Sequence, residues 1–405
     1  MKKISKCRLC KSSNLKSVLD LGHQHLTGVF PKSSSSDITI GPLSLVWCNE
    51  CSLLQLEHSF DPNEMYGDNY GYRSGLNRMM VEHLSSKVEL LCKQFSITAG
   101  DSVLDIGSND ATLLKSYKIK GLKKTGIDPT AGKFSEFYTS DIRLIDNFFT
   151  ASNVGKEKFK VITAISMFYD LEDPLSFVRD ISSVLAKDGV WHFEQSYMPS
   201  MLRMNSYDTI CHEHIEYYSL TPVKMILEKC GLRIIDVKMN SVNGGSFAVT
   251  ACHQNALFPS NEPLIDWLLE QERSMGINSL TPFVDFKKKV FQHKHDLKDL
   301  LIKLNHAGKV VHGYGASTKG NVLLQFCDIT PIEIPFISEI NTEKFSHFTP
   351  GTNIPIISDK ESKGMNPDYY LVLPWHFKSG ILKNEKEFLK NGGSLILPFP
   401  EIEII

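Results

Sequence analysis

The stretch 101–117, "DSVLDIGSNDATLLKSY", joins an apolar run to a sharp turn and then to a helical pattern. Asp105 ends the apolar run, Gly107 permits close approach of the backbone, and Asn109 lies near the start of the helix. This order predicts a strand, a turn and a helix, as in a nucleotide-binding βαβ unit. The turn lacks the second glycine of a GxGxxG fingerprint, so a cofactor without phosphates fits it better than a dinucleotide.

A second strand is predicted to end at Asp128, within "KTGIDPTAG" (124–132). A carboxylate in this position can accept hydrogen bonds from both ribose hydroxyls of an adenosine-containing cofactor. We therefore expect S-adenosylmethionine, bound by a Rossmann-like methyltransferase domain. At the end of the third predicted strand, "IRLIDNFF" (142–149), we expect Asn147 and Phe148 close to the adenine.

The segments after residue 150 continue to alternate between strand and helix patterns. This alternation predicts a parallel sheet, with ligands bound at the carboxyl ends of its strands. Three side chains follow or end the next predicted strands and are candidates for binding a substrate: Tyr169, Glu194 and Ser196. Ordinary packing at strand ends is the alternative for each of them.

Two CxxC pairs lie near the N-terminus, "CRLC" with Cys7 and Cys10, and "CNEC" with Cys48 and Cys51. Four thiolates complete a tetrahedral zinc site and leave no position for water, so the pattern predicts a structural zinc. The gap between the pairs requires a small β-rich insert.

Three tyrosines follow this module in a glycine-rich segment: Tyr66, Tyr70 and Tyr72. They could form a lid whose hydroxyls reach a neighbouring ligand, and Tyr72 is our candidate for contact with the cofactor. A linker packed by aromatic rings is the alternative.

The C-terminal part contains a second strand, glycine turn and helix in "KVVHGYGASTKGNVLLQF" (309–326). The turn is not a P-loop, because GxxxxGK[ST] is absent. Hydroxyls and a lysine at a helix N-terminus can bind phosphate oxygens, so we expect a phosphate-bearing ligand here. The alternative is a helix-start turn with an exposed lysine. The candidates in this turn and at later strand ends are Gly315, Ser317, Thr318, Lys319, Glu339 and Trp375.

The segment 207–219, "YDTICHEHIEYYS", places His212, Glu213 and His214 in a row. In an extended segment the two histidines would point to one side and the glutamate to the other. A metal site, packed structural histidines and acid–base catalysis remain open as explanations. No third metal ligand is recognisable nearby, whereas histidine titrates near neutral pH and suits proton transfer.

The whole chain of 405 residues is too long for one compact core. An α/β protein of three parts is expected: a zinc-binding module over 1–75, a class I methyltransferase domain over 76–258 and a second Rossmann-like domain over 259–405. The net charge of −2 gives no reason to expect nucleic acid or a membrane as partner. No apolar run is long enough to span a bilayer, and no secretory signal is recognisable. We expect a cytoplasmic monomer.

Taken in order, the motifs resemble those of S-adenosylmethionine-dependent nucleotide-sugar C-methyltransferases, typified by the C-3′-methyltransferases of deoxysugar biosynthesis. The resemblance runs over essentially the whole chain, and its most specific parts are the "HEH" and "GYGASTKGN" segments. Its motifs are the two CxxC pairs, "VLDIGSNDATLL", "GIDP", "MFYDLEDP", "FEQSYMP", "YDTICHEHIEYYS", "NGGS" and "GYGASTKGN".

The resemblance implies a dTDP- or GDP-linked 4-keto sugar as substrate, with its nucleotide held by the C-terminal domain. It implies that His214 removes a proton from the sugar carbon, that Glu213 supports the site and that His212 is a neighbour. Two positions depart from the family pattern: Cys211 stands where a tyrosine is expected, and Ala111 where a glycine is expected. An O- or N-methyltransferase acting on a nucleotide sugar, and a non-catalytic zinc protein that binds nucleotide sugars or RNA, are the alternatives.

Overall fold

The computed structural model describes residues 1–33, 38–65 and 72–405. Tyr66 and Tyr70 lie outside the described residues. The α/β class, the N-terminal cysteine module and the two Rossmann-like sheets expected from the sequence are confirmed. The domain boundaries at 75/76 and 258/259 stay predictions.

The N-terminal module is built from short antiparallel strands, as the spacing of the cysteine pairs predicts. β2, β3 and β4 form a sheet that residues 216–217 extend by a fourth strand, and β1 pairs with β5. The elements are β1 Lys2–Lys3, β2 Leu15–His25, β3 Ile40–Cys48, β4 Leu54–Leu56, β5 His58–Ser59 and α1 Pro62–Met65.

The central module contains a seven-stranded sheet in the order β12-β13-β10-β9-β6-β7-β8. Its strands are β6 Ser102–Ile106, β7 Lys123–Ile127, β8 Ile142–Ile145, β9 Phe159–Ile165, β10 Leu185–Ser196, β12 Leu232–Asn240 and β13 Ser246–His253, while β11 Glu216–Tyr217 joins the N-terminal sheet. Its helices are α2 Arg78–Gln94, α3 Thr112–Ser116, α4 Ala151–Val154, α5 Pro174–Val184, α6 Met198–Arg203 and α7 Leu220–Lys229.

One strand breaks the parallel arrangement that the sequence predicts. β13 runs antiparallel to both of its neighbours, β10 and β12. Only residues 241–245 separate β12 from β13, and a connection this short can return the chain only as an antiparallel pair, because a parallel crossover needs a dozen residues or more.

The C-terminal module begins with two helices and continues as a sheet in the order β16-β15-β14-β17-β18-β19, parallel except for β19. The first five strands have the Rossmann order 3-2-1-4-5. The elements are α8 Glu262–Ser274, α9 Thr281–His306, β14 Val311–Tyr314, α10 Thr318–Phe326, β15 Ile337–Glu339, β16 Ile356–Ser358, α11 Asp359–Gly364, β17 Tyr369–Val372, α12 Lys378–Asn384, α13 Lys386–Lys390, β18 Ser394–Leu397 and β19 Glu403–Ile404. Short 3₁₀ helices cover Ser74–Leu76, Ser135–Phe137, Phe168–Asp170, Tyr207–Thr209, Val242–Gly244, Thr342–Lys344 and Trp375–Phe377.

A continuous hydrophobic core joins the first module to the third. Helix α9 buries Phe283, Phe286 and Val290 on one face, while the charged residues on its other face are in solvent. The rings of Trp47 on β3 and Phe283 are 5.9 Å apart. This core therefore packs the sheet of the zinc module directly against the C-terminal module. Within the described residues, no helix combines the length and the apolar content needed to cross a bilayer.

Candidate active site and zinc centre

The four cysteines of the two CxxC pairs converge, and their sulfur atoms all lie within 4.8 Å of one another. Cys7 and Cys51 are 3.5 Å apart, and Cys10 and Cys48 are 3.4 Å apart. Zinc–sulfur bonds of about 2.3 Å place tetrahedral sulfurs ~3.8 Å apart, so the cluster fits one zinc ion. The side chain of Gln55 donates a hydrogen bond of 3.2 Å to the sulfur of Cys7.

The turn after β6 is held by the acid after β7. The amide of Asn109 donates to one carboxylate oxygen of Asp128 at 2.9 Å, and the amide and hydroxyl of Thr130 donate to the other at 2.6 Å. The oxygen bonded to Asn109 has accepted only one hydrogen bond and can accept another, so Asp128 retains capacity for a ribose hydroxyl. Gly107 and Ala111 both have positive φ, +73° and +59°, which explains why a glycine suits the position that Ala111 occupies.

Asn109 also ties the turn to the segment before α2. Its side chain accepts from the amide of Ser74 at 2.9 Å and donates to the carbonyl of Tyr72 at 3.1 Å. Tyr72 is therefore beside the predicted cofactor turn, and its side chain is exposed. Asn147 and Phe148 are exposed after β8, as a contact with adenine requires.

Asp105 is buried at the end of β6 and accepts a hydrogen bond of 2.6 Å from Thr163. Burial raises the pKa of Asp105 to about 7, although the Thr163 hydrogen bond opposes this shift. The structure thus places this carboxyl under the turn, beside β9.

Glu194 is fully buried and its carboxylate is directed at helix α2. It accepts from His83 at 2.6 Å and Asn240 at 2.6 Å, and it pairs with Lys87. Burial alone would raise its pKa, but the His83 hydrogen bond and the Lys87 charge hold the pKa at about 2. These three partners occupy the carboxylate of Glu194. The contact that we predicted between Glu194 and a substrate stays a prediction.

The "HEH" segment is bent, and its three side chains have different partners. The amide of His214 donates to the carbonyl of Cys211 at 3.2 Å, which closes a turn. The expectation that both histidines share one side is therefore wrong, because it assumed an extended backbone. His212 is fully buried; it contacts the ring of Phe60 and lies 3.3 Å from the carbonyl of Gly41. Burial lowers its pKa to about 4.

Glu213 is directed toward the N-terminal module. A Cβ atom added to Gly28 would overlap the carboxylate of Glu213, and the hydroxyl of Thr318 in the C-terminal turn would be the next side chain near that atom. Burial raises the pKa of Glu213. The Glu213 carboxyl group therefore lies against Gly28 of the first module.

The imidazole of His214 is the best candidate for a proton acceptor. Its Nδ1 lies 3.0 Å from the carbonyl of Thr209, so Nδ1 carries the proton and donates it. Nε2 then retains a lone pair. Burial, and next the positive charge of Lys319, lower the pKa of His214 to about 3, which keeps the ring neutral.

A cavity brings together three residues that we selected from the sequence. Tyr169, Ser196 and His214 all line it, at the carboxyl ends of β9 and β10. The rings of Tyr169 and His214 are 4.2 Å apart. Ligands of open α/β sheets bind at this edge, so the cavity lies where a substrate is expected.

The glycine turn of the C-terminal module repeats the arrangement around Asp128. The amide of Ala316 donates to Glu339 at the end of β15 over 2.8 Å, as Asn109 does to the acid after β7. Gly315 has φ +79°, and a Cβ there would lie 2.8 Å from Pro374. Ser317 caps α10 by accepting from the amide of Gly320 at 3.0 Å.

Two side chains of the C-terminal module form hydrogen bonds with the central module. Lys319 donates to the carbonyl of Asn243 at 2.9 Å, and the indole of Trp375 donates to Asp208 at 2.7 Å. Burial raises the pKa of Asp208 to about 6, an effect that Lys319 and Trp375 counteract. The C-terminal turn therefore contributes directly to the surroundings of His214.

Sequence reasoning missed several members of this site. Asp208 and Thr209 stood in the quoted stretch without a role, and Asn243 stood in the "NGGS" motif. Lys344, which donates to the carbonyl of Ala316 at 2.7 Å, lies in no motif. In the sequence, the one indication of a role for Asp208 was that it is a polar residue shortly before His214, the predicted base.

Comparison with known proteins adds an independent line of argument. Three family models match in succession: a zinc binding domain over residues 7–66, a methyltransferase domain over 77–237 and a C-methyltransferase C-terminal domain over 241–400. The chain is 32% identical over 410 residues to the C-methyltransferase NovU of Streptomyces niveus, covering 99% of this chain and 97% of that protein. It is 31% identical over 129 residues to the ubiquinone biosynthesis O-methyltransferase of Actinobacillus pleuropneumoniae serotype 7, covering 29% of this chain and 52% of that protein.

The family matches confirm both cofactors that the sequence predicts. The methyltransferase domain uses S-adenosylmethionine, and the zinc binding domain contains the cysteine cluster. The chain is therefore an enzyme of the methyltransferase class.

Proposed function

The chain belongs to the family of S-adenosylmethionine-dependent C-methyltransferases, and from this premise we propose that it methylates carbon 3 of a nucleotide-linked 4-keto-6-deoxy sugar. The observation that carries the proposal is the hydrogen bond between His214 and the carbonyl of Thr209. It orients the ring and leaves Nε2 with a lone pair beside a cavity at the substrate edge of the sheet.

Transfer of methyl to carbon needs a base but no additional metal. A C–H bond next to a ketone is acidic, because the charge left after proton removal spreads onto the ketone oxygen. Nε2 of His214 takes the proton, and the carbon becomes the nucleophile. Bound S-adenosylmethionine supplies the methyl group as an electrophile, and Asp105, Gly107, Asn109, Asp128, Asn147, Phe148 and Tyr72 are the residues proposed to hold it.

The nucleotide is assigned to the C-terminal turn. The Rossmann strand order and the acid Glu339, hydrogen-bonded to the turn, are typical of a nucleotide site and support the assignment. Gly315, Ser317, Thr318, Lys319 and Trp375 are the remaining proposed contacts. Tyr169, Glu194 and Ser196 are assigned to the sugar side, with Glu213 and His212 flanking the base. The enzyme is proposed to act as a monomer in the cytoplasm, where the cysteine thiolates stay reduced.

A panel of dTDP- and GDP-linked sugars tests the proposal. We expect methyl transfer to 4-keto-6-deoxy sugars, with a new carbon–carbon bond at C3 visible by NMR of the product. The 4-hydroxy sugar obtained by reducing each ketone is the matched control, since it cannot form an enolate. Methylation of the control on oxygen, or of an amino sugar on nitrogen, would contradict the proposal.

A further inference from the structure

The carbonyl that orients His214 belongs to a short buried turn. Residues 207–209 form a 3₁₀ helix, and each of its three side chains is at most 3% exposed. The amide of Ile210 donates to the carbonyl of Tyr207 at 3.0 Å and closes the turn. One helical turn is unfavourable on its own, because it fixes several residues for very few hydrogen bonds. The direction of the Thr209 carbonyl therefore depends on the groups that hold the side chains of the turn.

The side chain of Tyr207 anchors the turn in the core of the C-terminal module. Its hydroxyl lies 2.9 Å from Nδ1 of His293 on α9 and 3.3 Å from the sulfur of Cys327, directly after α10. The other ring nitrogen of His293, Nε2, lies 2.6 Å from the carbonyl of Pro398 and so carries the proton. Nδ1 therefore accepts the hydrogen bond that the hydroxyl of Tyr207 donates. Burial lowers the pKa of His293, which keeps this ring neutral.

The side chain of Asp208 anchors the same turn to a second part of that module. Its carboxylate accepts a hydrogen bond of 2.7 Å from the indole of Trp375. The indole is itself packed, since its ring centre lies 5.4 Å from that of Phe399 and a Cβ added to Gly244 would lie 3.0 Å from it. Two consecutive side chains of the turn are thus held by the C-terminal module.

We propose that Tyr207 and Asp208 are positioning residues for the base, and that the C-terminal module orients the imidazole of His214 through them. The inference rests on the proposed function, in which Nε2 of His214 takes the proton. The residue after Asp208 is Thr209, whose carbonyl accepts from Nδ1 of His214 at 3.0 Å. A shift of this carbonyl turns the ring and moves Nε2 away from the carbon that it deprotonates. The module assigned to the nucleotide therefore also aligns the base.

Charge is the other way in which Asp208 can act on the base. Burial raises the pKa of Asp208, and the ammonium group of Lys319 is close enough to counteract this rise. The same ammonium group lowers the pKa of His214. Loss of the carboxylate would leave this cation less compensated and the base weaker, without any change in the turn. The substitutions must therefore separate the hydrogen bond from the charge.

Asp208→Asn, Asp208→Ala and Trp375→Phe make this separation. Asparagine keeps an oxygen that can accept from the indole but removes the charge, whereas the other two changes remove the hydrogen bond. We expect kcat to fall about 100-fold in Asp208→Ala and in Trp375→Phe, because a small misplacement of a catalytic group costs about this much. In Asp208→Asn kcat should stay within about fivefold of the wild type. A double variant with Asp208→Ala and Trp375→Phe should be no slower than Asp208→Ala, since both changes break the same bond.

Tyr207→Phe tests the other anchor, and it is the milder change in case Asp208→Ala does not fold. It should lower kcat about tenfold, the effect of one hydrogen bond. Tyr370→Phe is the matched control, because Tyr370 is a buried tyrosine of the same module whose hydroxyl lies 2.8 Å from that of Ser362. Both variants should unfold at a slightly lower temperature, but only Tyr207→Phe should lose kcat.

The ring of His214 can also be observed without any substrate. In protein labelled with ¹⁵N-histidine, the ring signals that disappear in His214→Asn belong to His214. Their chemical shifts report which ring nitrogen carries the proton. The wild type should carry it on Nδ1, and Asp208→Ala should show a mixture of the two neutral forms.

The outcomes distinguish the inference from its alternatives. A loss of kcat in Asp208→Asn as large as in Asp208→Ala would assign the effect to charge and overturn the inference. A loss in Tyr370→Phe equal to that in Tyr207→Phe, or a ring of His214 that is unchanged in Asp208→Ala, would overturn it as well. Absence of methyl transfer by the wild type with every nucleotide sugar would instead overturn the proposed function, while the ring signals would still show whether the turn orients the imidazole.

Discussion

The amide of Leu56 donates a hydrogen bond of 2.9 Å to the carbonyl of Ile215, the residue next to His214. Pairing continues at Glu216, which lies opposite Gln55. The side chain of Gln55 in turn contacts the sulfur of Cys7, so one short strand connects the zinc cluster with the proposed base. The zinc module therefore holds the segment that follows His214, the proposed base.

Loss of zinc should consequently reduce both stability and activity. Cys48→Ser removes one of four thiolates, and binding energy at such a site is folding energy. We expect the variant to lose its zinc by elemental analysis, to unfold at lower temperature and to lose at least about tenfold in methyl transfer. Cys92→Ser, which is outside the cluster, is the control. A zinc-free Cys48→Ser protein with full activity would contradict the link.

The affinity for S-adenosylmethionine should depend on Asp128. Asp128→Ala removes the acceptor for ribose hydroxyls, and we expect a loss of about 1.5–3 kcal/mol in binding by calorimetry, the range for hydrogen bonds to a charged group. Because the carboxylate also holds the local loop, Thr130→Val is the control. It removes one of those loop hydrogen bonds and leaves the carboxylate. Equal losses in both variants would assign the effect to the loop.

The strands, the helices and the zinc ligands could be predicted because their signals are local. The CxxC pairs and the run ending at Asp105 are patterns within a few residues. The surroundings of the base could not be predicted in this way. The hydrogen bond between Asp208 and Trp375 joins residues 167 apart in the chain, and that between His83 and Glu194 joins residues 111 apart.

The predicted direction of the two histidine side chains was wrong for a different reason. Alternation of side chains holds only in an extended backbone, and one hydrogen bond between His214 and Cys211 bends this segment. No residue type in the segment predicts the bend, because the segment contains neither glycine nor proline. Tertiary pairing of β11 with β4 fixes the backbone immediately after it.

Replacing Lys319 should weaken binding of the sugar nucleotide more than binding of the cofactor. Its ammonium group lies in the C-terminal turn and bridges to Asn243, remote in sequence from the turn around Asp128. We expect Lys319→Ala to raise KM for the sugar nucleotide about tenfold or more while KM for S-adenosylmethionine stays within about twofold, since hydrogen bonds to charged groups contribute about 1.5–3 kcal/mol. Lys288→Ala, an exposed lysine of α9, should change neither. Equal effects on both substrates would contradict separate sites.

Stability should depend on pH through the buried His212. Its pKa is lowered to about 4, so between pH 6.5 and pH 4 the unfolded chain binds a proton that the folded chain does not. The free energy of unfolding of the wild type should therefore fall relative to His212→Asn as pH falls through this window, by about 3 kcal/mol at most. Denaturant unfolding at several pH values measures this difference. A difference that stays constant with pH would show that His212 is not held neutral, and the exposed His295→Asn serves as control.

His214→Asn should abolish methyl transfer while both ligands still bind. A positioned base contributes about 10²–10⁴-fold, and an amide cannot accept the proton. His212→Asn is the matched variant, because it makes the same substitution two residues away at a ring that contacts Phe60 and does not line the cavity. We expect it to reduce the rate much less. Initial rates and calorimetric binding of each ligand measure the two effects separately.

Proton exchange gives a test that a methyltransferase acting on oxygen or nitrogen would not pass. In D₂O, with a cofactor analogue that cannot donate methyl, wild-type enzyme should exchange the C3 proton of the keto sugar, as followed by NMR. His214→Asn should not, because its amide has no basic nitrogen, whereas His212→Asn should still exchange. Exchange that persists in His214→Asn would assign the proton to another group. Cys211 is a poor substitute, since burial raises its pKa and keeps the thiol protonated, so His212 would then be the first residue to examine.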